Sequence, residues 1–244
     1  MDERRQAIIL AAGQGKRLEP LTDDTPKTLL EVGGRPIIEH ILRALEANDY
    51  ERAVVVTGFG REQVEDHCLP RESLEIEFVH NAEYDSTNNI YSLWLANEYA
   101  ADGFTLINSD TLFSAESLGQ FQQAEGSALL VDIDGELADE EMQVAFGSDR
   151  IETIGKALDG GDTGVYLDGG DAEYIGVSKF TPDDASRLFE HIEGFIDREE
   201  VGEWYEAAFD RLFEEREIGY FRIEEPWTEI DTRKDLERAR ERWN

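Results

Sequence analysis

Two rhythms of apolar and polar residues alternate along this chain. Residues 7–12 (AIILAA) and 53–56 (AVVV) are apolar throughout, and both runs are short. Such runs suit strands covered on both faces. Residues 76–79 (IEFV) and 104–108 (FTLIN) add two more strand candidates. Between them the period lengthens. Ile37, Ile38, Ile41, Leu42 and Leu45 recur at helical spacing, so residues 36–48 read as an amphipathic helix with Pro36 at its first position. Residues 61–68, 89–100 and 115–124 read as further helices. Strands alternating with helices imply a doubly wound, mostly parallel α/β sheet with crossover helices. In such sheets ligands bind outside the carboxyl ends of the strands.

The pattern changes from residue 127. Short strand candidates follow at 128–131, 142–146, 150–154 and 174–180, separated by glycine and aspartate. The DGGD stretches at 159–162 and 168–171 are turn signals. This is a small β subregion inserted before the end of the sheet. Helices over 182–198 and 202–216, a strand at 218–223 and a terminal amphipathic helix complete the chain. Thr181-Pro182-Asp183-Asp184 is a helix start, with a capping hydroxyl and early acids. The expected organisation is one domain over 1–244, with halves 1–126 and 127–244.

The first strand runs directly into chemistry. Gly13-Gln14-Gly15 follows it, then Lys16 and Arg17, then Pro26-Lys27. Glycines let backbone N–H groups approach a ligand, and successive N–H groups make a nest for an anion. Arg17 offers a bidentate fork for phosphate, and Lys16 and Lys27 offer compact charges. The P-loop is excluded because Lys16 comes too soon and Arg17 stands in place of Ser or Thr. The dinucleotide fingerprint is excluded because its third glycine would fall on Leu18. Further on, Asp110 directly follows a buried strand. A carboxylate there is placed to hold Mg²⁺, which takes one or two protein carboxylates and fills its shell with phosphate oxygens and water. Asn88 or Asn89 can cap the helix over 89–100, and their amides can also pair with the edge of a base.

The pattern LAAGxGxRLxPxTxxxPKxL, carried by Leu10, Ala11, Ala12, Gly13, Gly15, Arg17, Leu18, Pro20, Thr22, Pro26, Lys27 and Leu29, resembles the signature of nucleotidyltransferases. These enzymes join an NTP to a phosphorylated sugar or alcohol. The run NxxYxxxNNxYSL at 81–93 is similar to the cytidylyltransferase branch, especially the phosphocholine enzymes and their phosphonate-handling relatives. The resemblance implies a Rossmann-like nucleotidyltransferase fold and an EC 2.7.7-type transfer, with CTP as donor and a phosphorylated small alcohol or a phosphonate as acceptor. It implies nucleotide contacts from residues 10–13, Gly15, Lys16, Arg17, Lys27, Asn81, Asn88, Asn89 and Ser92. It makes Arg17, Lys27 and Asp110 catalytic, and it makes Asp110 and Asp231 (in Trp227-Thr228-Glu229-Ile230-Asp231-Thr232) Mg²⁺ ligands. Lys156 and Glu173 fall on the acceptor side, within the 127–244 half. A sugar 1-phosphate enzyme using UTP, dTTP or GTP is the alternative, and a non-catalytic nucleotide-sensing module is an alternative of another class. Met142 stands where the choline enzymes carry a tryptophan; Tyr174, Trp204 and Tyr205 are the candidates to replace it around a quaternary ammonium.

Composition narrows the partners. With 23 basic and 56 acidic residues the net charge is −33, which repels nucleic acid and anionic membranes. The lysines are Lys16, Lys27, Lys156, Lys179 and Lys234, so two of five flank the glycine turn. An acidic, lysine-poor surface resembles proteins adapted to high salt, where screening removes self-repulsion. The sole cysteine, Cys68, excludes an intramolecular disulfide, and four scattered histidines offer no zinc spacing. No apolar run approaches the ~20 residues of a membrane span, and the charged MDERRQ start is unlike a signal peptide. A cytoplasmic setting is the expectation, and the oligomeric state is open at this level.

Overall fold

The computed structural model describes residues 5–68, 71–135, 137, 141–147, 150–156 and 170–243. The DGGD stretch at 159–162, and the first half of the second at 168–171, lie outside these residues. Among the described residues nine strands form one sheet: β1 (Gln6–Ala11), β2 (Arg52–Thr57), β3 (Glu75–His80), β4 (Phe104–Asn108), β5 (Ala128–Asp132), β6 (Gln143–Phe146), β7 (Ile151–Gly155), β8 (Ala172–Phe180) and β9 (Gly219–Arg222). The helices are α1 (Ile37–Ala47), α2 (Arg61–Cys68), α3 (Asn89–Leu95), α4 (Ala115–Gln122), α5 (Pro182–Asp197), α6 (Glu206–Phe213) and α7 (Arg233–Arg242). The order across the sheet is β7-β6-β8-β4-β1-β2-β3, with β5 on the other edge of β8 and β9 beside β5. The central block β4-β1-β2-β3 is parallel, as the strand–helix alternation requires. β8 joins it antiparallel to β4.

β1 is buried along its whole length because helices cover both sheet faces. Ile8 and Leu10 pack with Ile90 and Leu93 of α3, Leu188 of α5 and Phe209 of α6. Ala7 and Ile9 face the other way, toward Ile41 and Leu45 of α1, Val64 of α2 and Leu118 of α4. Alternate residues of one strand therefore serve two cores, which is why the run shows no polar position.

A third, smaller core sets the site. Leu18, Leu30, Val32 and Ile37 from the glycine-loop arm pack with Leu112, Ile230, Leu236 and Ala239. Two short ribbons knit this core together. Glu31–Val32 pairs with Arg35–Pro36, and Thr111–Leu112 pairs antiparallel with Thr228–Glu229. The second ribbon, continued by Ile230 N–H donating to Asp110 C=O at 3.0 Å, draws the chain after β4 against the chain before α7.

Several boundaries differ from the pattern-based reading, three of them at α1, α3 and α6. Pro36 is the N-cap of α1, one position before the helix. The helix expected over 89–100 ends at Leu95 and is followed by a 3₁₀ turn, Asn97–Tyr99. The helix expected from 202 begins at Glu206 because asparagines tie down the preceding backbone. Asn88 N–H donates to Val201 C=O, Asn88 Nδ2 to Gly202 C=O, and Tyr205 N–H to Asn89 Oδ1. β8 also bends at Gly176, where φ is +79° and an added Cβ would lie 2.8 Å from Asn108 Nδ2. Residues 177–180 can then pair with β4, and residues 172–173 pair with β6 on the same edge.

Candidate active site

The glycine turn leaves the carboxyl end of β1, and Asp110 leaves the carboxyl end of its neighbour β4. Gly15 adopts φ +73°, and an added Cβ would lie 2.8 Å from Lys27 Cβ. The turn is therefore tight because Lys27 packs on it. Thr22 Oγ1 donates to Gly15 C=O at 2.9 Å and closes the loop. Leu10, Ala11 and Ala12 are buried in the core, so their side chains are turned away from a ligand. Lys16 is exposed, and Arg17 reaches out of the arm with 61% of its side chain exposed.

Lys27 is the centre of the charge arrangement. Its Nζ donates to Asp110 Oδ2 at 2.8 Å and to Asp231 Oδ1 at 2.5 Å, and Arg17 Nη2 donates to Asp231 Oδ2 at 2.7 Å. Burial alone would lower the Lys27 pKa, but the Asp110 and Asp231 charges override it and raise it. Burial likewise works to raise Asp231, and Lys27, Arg17 and Lys156 together hold it below its ordinary value. Thr232, rather than Asp231, caps α7 in a capping box with Asp235, which leaves the Asp231 carboxylate to the cations.

Glu229 completes the cluster, and the sequence reading passed over it. One carboxylate oxygen each of Asp110, Glu229 and Asp231 lie within 4.8 Å of one another. Desolvation by surrounding protein atoms, and then the Asp110 and Asp231 charges, raise the Glu229 carboxyl although water still reaches its side chain. Its signal was the alternation Glu229-Ile230-Asp231, which puts two acids on one face of an extended segment. Asp110 Oδ1 is buried and has no hydrogen-bond partner. An all-oxygen set with an orphaned carboxylate oxygen fits a hard divalent cation such as Mg²⁺.

A cleft of about 710 Å³ opens from Arg17, Glu229 and Asp231 toward β8 and α6. Lys156 and Glu173 both line it. The Lys156 ammonium sits 4.4 Å from the centre of the Trp204 ring. Burial, followed by the Glu141 and Asp132 charges, pushes the Glu173 carboxyl up to about 8. Glu206, also passed over in the sequence, is 4% exposed and lines the same cleft, and its Oε2 has no partner. On a helix's first turn it reads as one more solvated acid, and the sequence carried no signal for it.

The asparagine segment is less exposed than expected. Asn81 and Ser92 are 1% and 5% exposed. Asn81 Nδ2 donates to Ser92 Oγ at 3.0 Å and to Thr87 Oγ1 at 3.2 Å, while its Oδ1 accepts from Glu83 N–H at 2.9 Å. Their side chains thus hold the 80–92 loop together. Asn88 Oδ1 caps α3 by accepting from Asn89 N–H. Asn89 alone of the four lines the cleft, on the side of Lys156 and Glu206. The aromatic candidates differ too. Tyr205 is fully buried with its hydroxyl on Asn108 Oδ1 at 3.0 Å, and Tyr174 is 4% exposed with its hydroxyl on Ser178 Oγ.

A family model, the MobA-like NTP transferase domain, matches residues 7–161. The chain belongs to this nucleotidyltransferase family. The 2-aminoethylphosphonate cytidylyltransferase of Lancefieldella rimae is 35% identical over 188 residues, 76% of this chain and 71% of that protein. Other curated relatives are matched over about half of their own length or less. The solved CTP:phosphocholine cytidylyltransferase of Streptococcus pneumoniae superposes with a TM-score of 0.78 at 24% identity, over 99% of this chain and 100% of that one. The inositol-1-phosphate CTP transferase of T. maritima gives 0.78 at 25% identity, over 98% and 97%. The mostly parallel nucleotidyltransferase fold is common to all of them. Among the described residues no helix of this family member is long and apolar enough to cross a membrane.

Proposed function

We propose that this chain moves a cytidylyl group from CTP to a phosphorylated small alcohol or a phosphonate and releases pyrophosphate. The observation that carries the reading is the convergence of Lys27 and Arg17 on Asp110 and Asp231 beside the glycine turn. In this reading residues 1–126 hold the nucleotide, and 127–244 supply the acceptor side and the second metal aspartate. Backbone N–H groups at Gly13 and Gly15, with Lys16 and Arg17, cradle the triphosphate. The acceptor's own ionised oxygen attacks the α-phosphorus in line, so no general base is needed. Lys27 and Arg17 neutralise the charge that builds up as pyrophosphate leaves. Asp110 and Asp231, with Glu229 in reach, are the residues to hold Mg²⁺, which when bound supplies further charge neutralisation at the phosphate oxygens. Lys156 faces the acceptor's phosphorus end. The choice of CTP draws on the similarity to the Lancefieldella enzyme, the more closely matched of these relatives in identity and coverage combined.

The test is pyrophosphate release in high salt with Mg²⁺, across several NTPs and a panel of phosphorylated acceptors. Selectivity for CTP with a phospho-alcohol or phosphonate is the expected result. Selectivity for UTP, dTTP or GTP with a hexose 1-phosphate moves the protein to the sugar branch. NTP binding by calorimetry without turnover of any pair overturns the enzymatic reading in favour of a sensing module.

A further inference from the structure

We infer that Arg233, the first residue of α7, is a positioning residue that keeps the outer limb of the glycine turn docked once a nucleotide has drawn Arg17 away from Asp231. The inference rests on the reading of that turn as the triphosphate cradle and adds a residue to the same site. The limb, residues 13–21, carries Lys16 and Arg17, and Leu18 is its one buried side chain. Its backbone hydrogen bonds are local: Leu18 N–H donates to Gly15 C=O at 2.9 Å, and Leu21 N–H to Leu18 C=O at 3.0 Å. A segment this exposed and this locally bonded has little of its own to fix where it sits.

Three successive residues of the limb reach one place, the start of the last helix. Arg17 Nη2 donates to Asp231 Oδ2, Leu18 packs in the small core with Ile230, Leu236 and Ala239, and Glu19 C=O accepts from Arg233 Nη2. The two polar ties run in step, residue 17 to 231 and residue 19 to 233. In the proposed reaction the first tie is exchanged: Arg17 turns to the triphosphate, and Asp231 is needed for Mg²⁺. Leu18 then contributes only a non-directional apolar contact. The bond from Arg233 is directed and charge-assisted, and its backbone acceptor keeps the same charge whether or not phosphate is bound.

The surroundings of Arg233 fit this role. Among the described residues its guanidinium meets a backbone carbonyl and no carboxylate, in a chain with 56 acidic residues. Thr232 and Asp235 line the cleft and Arg233 does not, so it acts through the limb and not on the substrate. Arg240 offers an internal comparison. Its Nε donates to Glu31 C=O at 2.9 Å, but Glu31 lies beyond Lys27 in the ribbon already paired with Arg35–Pro36. If the tether is cut, the apparent nucleotide affinity falls by the fraction of molecules that keep the limb docked, and saturating nucleotide restores docking. The loss therefore belongs in KM and not in kcat.

The experiment compares Arg233→Met, Arg233→Lys and Arg240→Met with the wild type. Binding of CTP, or of the NTP the wild type prefers, is measured by calorimetry with Mg²⁺, and KM and kcat by pyrophosphate release. Arg233→Met should weaken NTP binding and raise the NTP KM about 3- to 10-fold, the range of one hydrogen bond, with kcat and the acceptor KM within about twofold. Arg233 is exposed and Met is a good helix former, so the variant should fold, with a urea midpoint near that of the wild type. Arg233→Lys, which keeps a charged donor, should recover at least half of the loss on a logarithmic scale. Arg240→Met removes the same charge from the same helix and should leave the NTP KM within about twofold. An Arg233→Met enzyme with wild-type NTP affinity overturns the tether. So does a loss carried by kcat, or an equal loss in Arg240→Met, which would trace the effect to the charge or stability of α7. A wild-type protein that binds no NTP overturns the nucleotide reading, and the tether falls with it.

Discussion

Replacing Lys27 with Met keeps the stem that packs on Gly15 and removes only the ammonium. Lys27 makes two charge-assisted hydrogen bonds, at 2.8 and 2.5 Å, from a side chain that is 13% exposed. Each bond of this kind contributes about 1.5–3 kcal/mol. Taking a fixed cation from a phosphoryl-transfer site costs about 3–4 kcal/mol of barrier, so kcat/KM should fall about 10²- to 10³-fold. Stability should fall as well. Asp231 keeps Arg17, but Asp110 loses the one cation paired with it among the described residues, and three carboxylates face one another. Breaking one side of a partly buried pair predicts a loss of about 3 kcal/mol in metal-free, low-salt buffer. Mg²⁺ should restore more stability to the variant than to the wild type, because the ammonium no longer competes for the same oxygens. The assays are pyrophosphate release and urea unfolding with EDTA or Mg²⁺. A double-mutant cycle with Asp231→Asn should return about 1.5–3 kcal/mol of coupling. Turnover within tenfold of wild type, or strictly additive effects of the two substitutions, would refute the reasoning.

Three further outcomes follow from the same geometry. Gly15→Ala, at φ +73° and against Lys27 Cβ, should cost about 1–2 kcal/mol in urea unfolding and at least tenfold in turnover, since the added methyl displaces Lys27. Burial pushes the Cys68 thiol up to about 12, so the native protein should react with a disulfide reagent at pH 8 only at its rate of unfolding; prompt labelling would contradict the burial. Burial also pushes the Glu206 carboxyl up to about 7 against the opposing effects of Tyr205, Asn89 and Lys156. The folded state therefore holds this proton more tightly than the unfolded state, and stability falls as pH rises from about 4.5 to about 7. Glu206→Gln should flatten that fall and exceed wild type above pH 7 by on the order of 2 kcal/mol in chemical unfolding.

Period and turn chemistry determined much of this protein without its fold. The runs 7–12 and 53–56 read as two-face-buried strands from their shortness and the glycine signals that follow them, and the Ile37–Leu45 stripe reads as a helix packed on such a sheet. A strand ending in Gly13-Gln14-Gly15 and followed by Arg17 and Lys27 announces an anion site, because those properties are local: backbone freedom and charge within a few residues of one another. Helix lengths were less legible. α6 starts late because Asn88 and Asn89, more than a hundred residues earlier, take up the backbone before it. Only the tertiary structure could turn Asn81 and Ser92 inward, since each is the other's partner. It alone could bring Asp110 to Asp231, through a two-residue ribbon and one hydrogen bond from Ile230. The buried carboxyls of Glu173 and Glu206 belong to the same class. A sequence of net charge −33 contains acids everywhere, and whether one is solvated or stranded in a cleft depends on what the rest of the chain places around it.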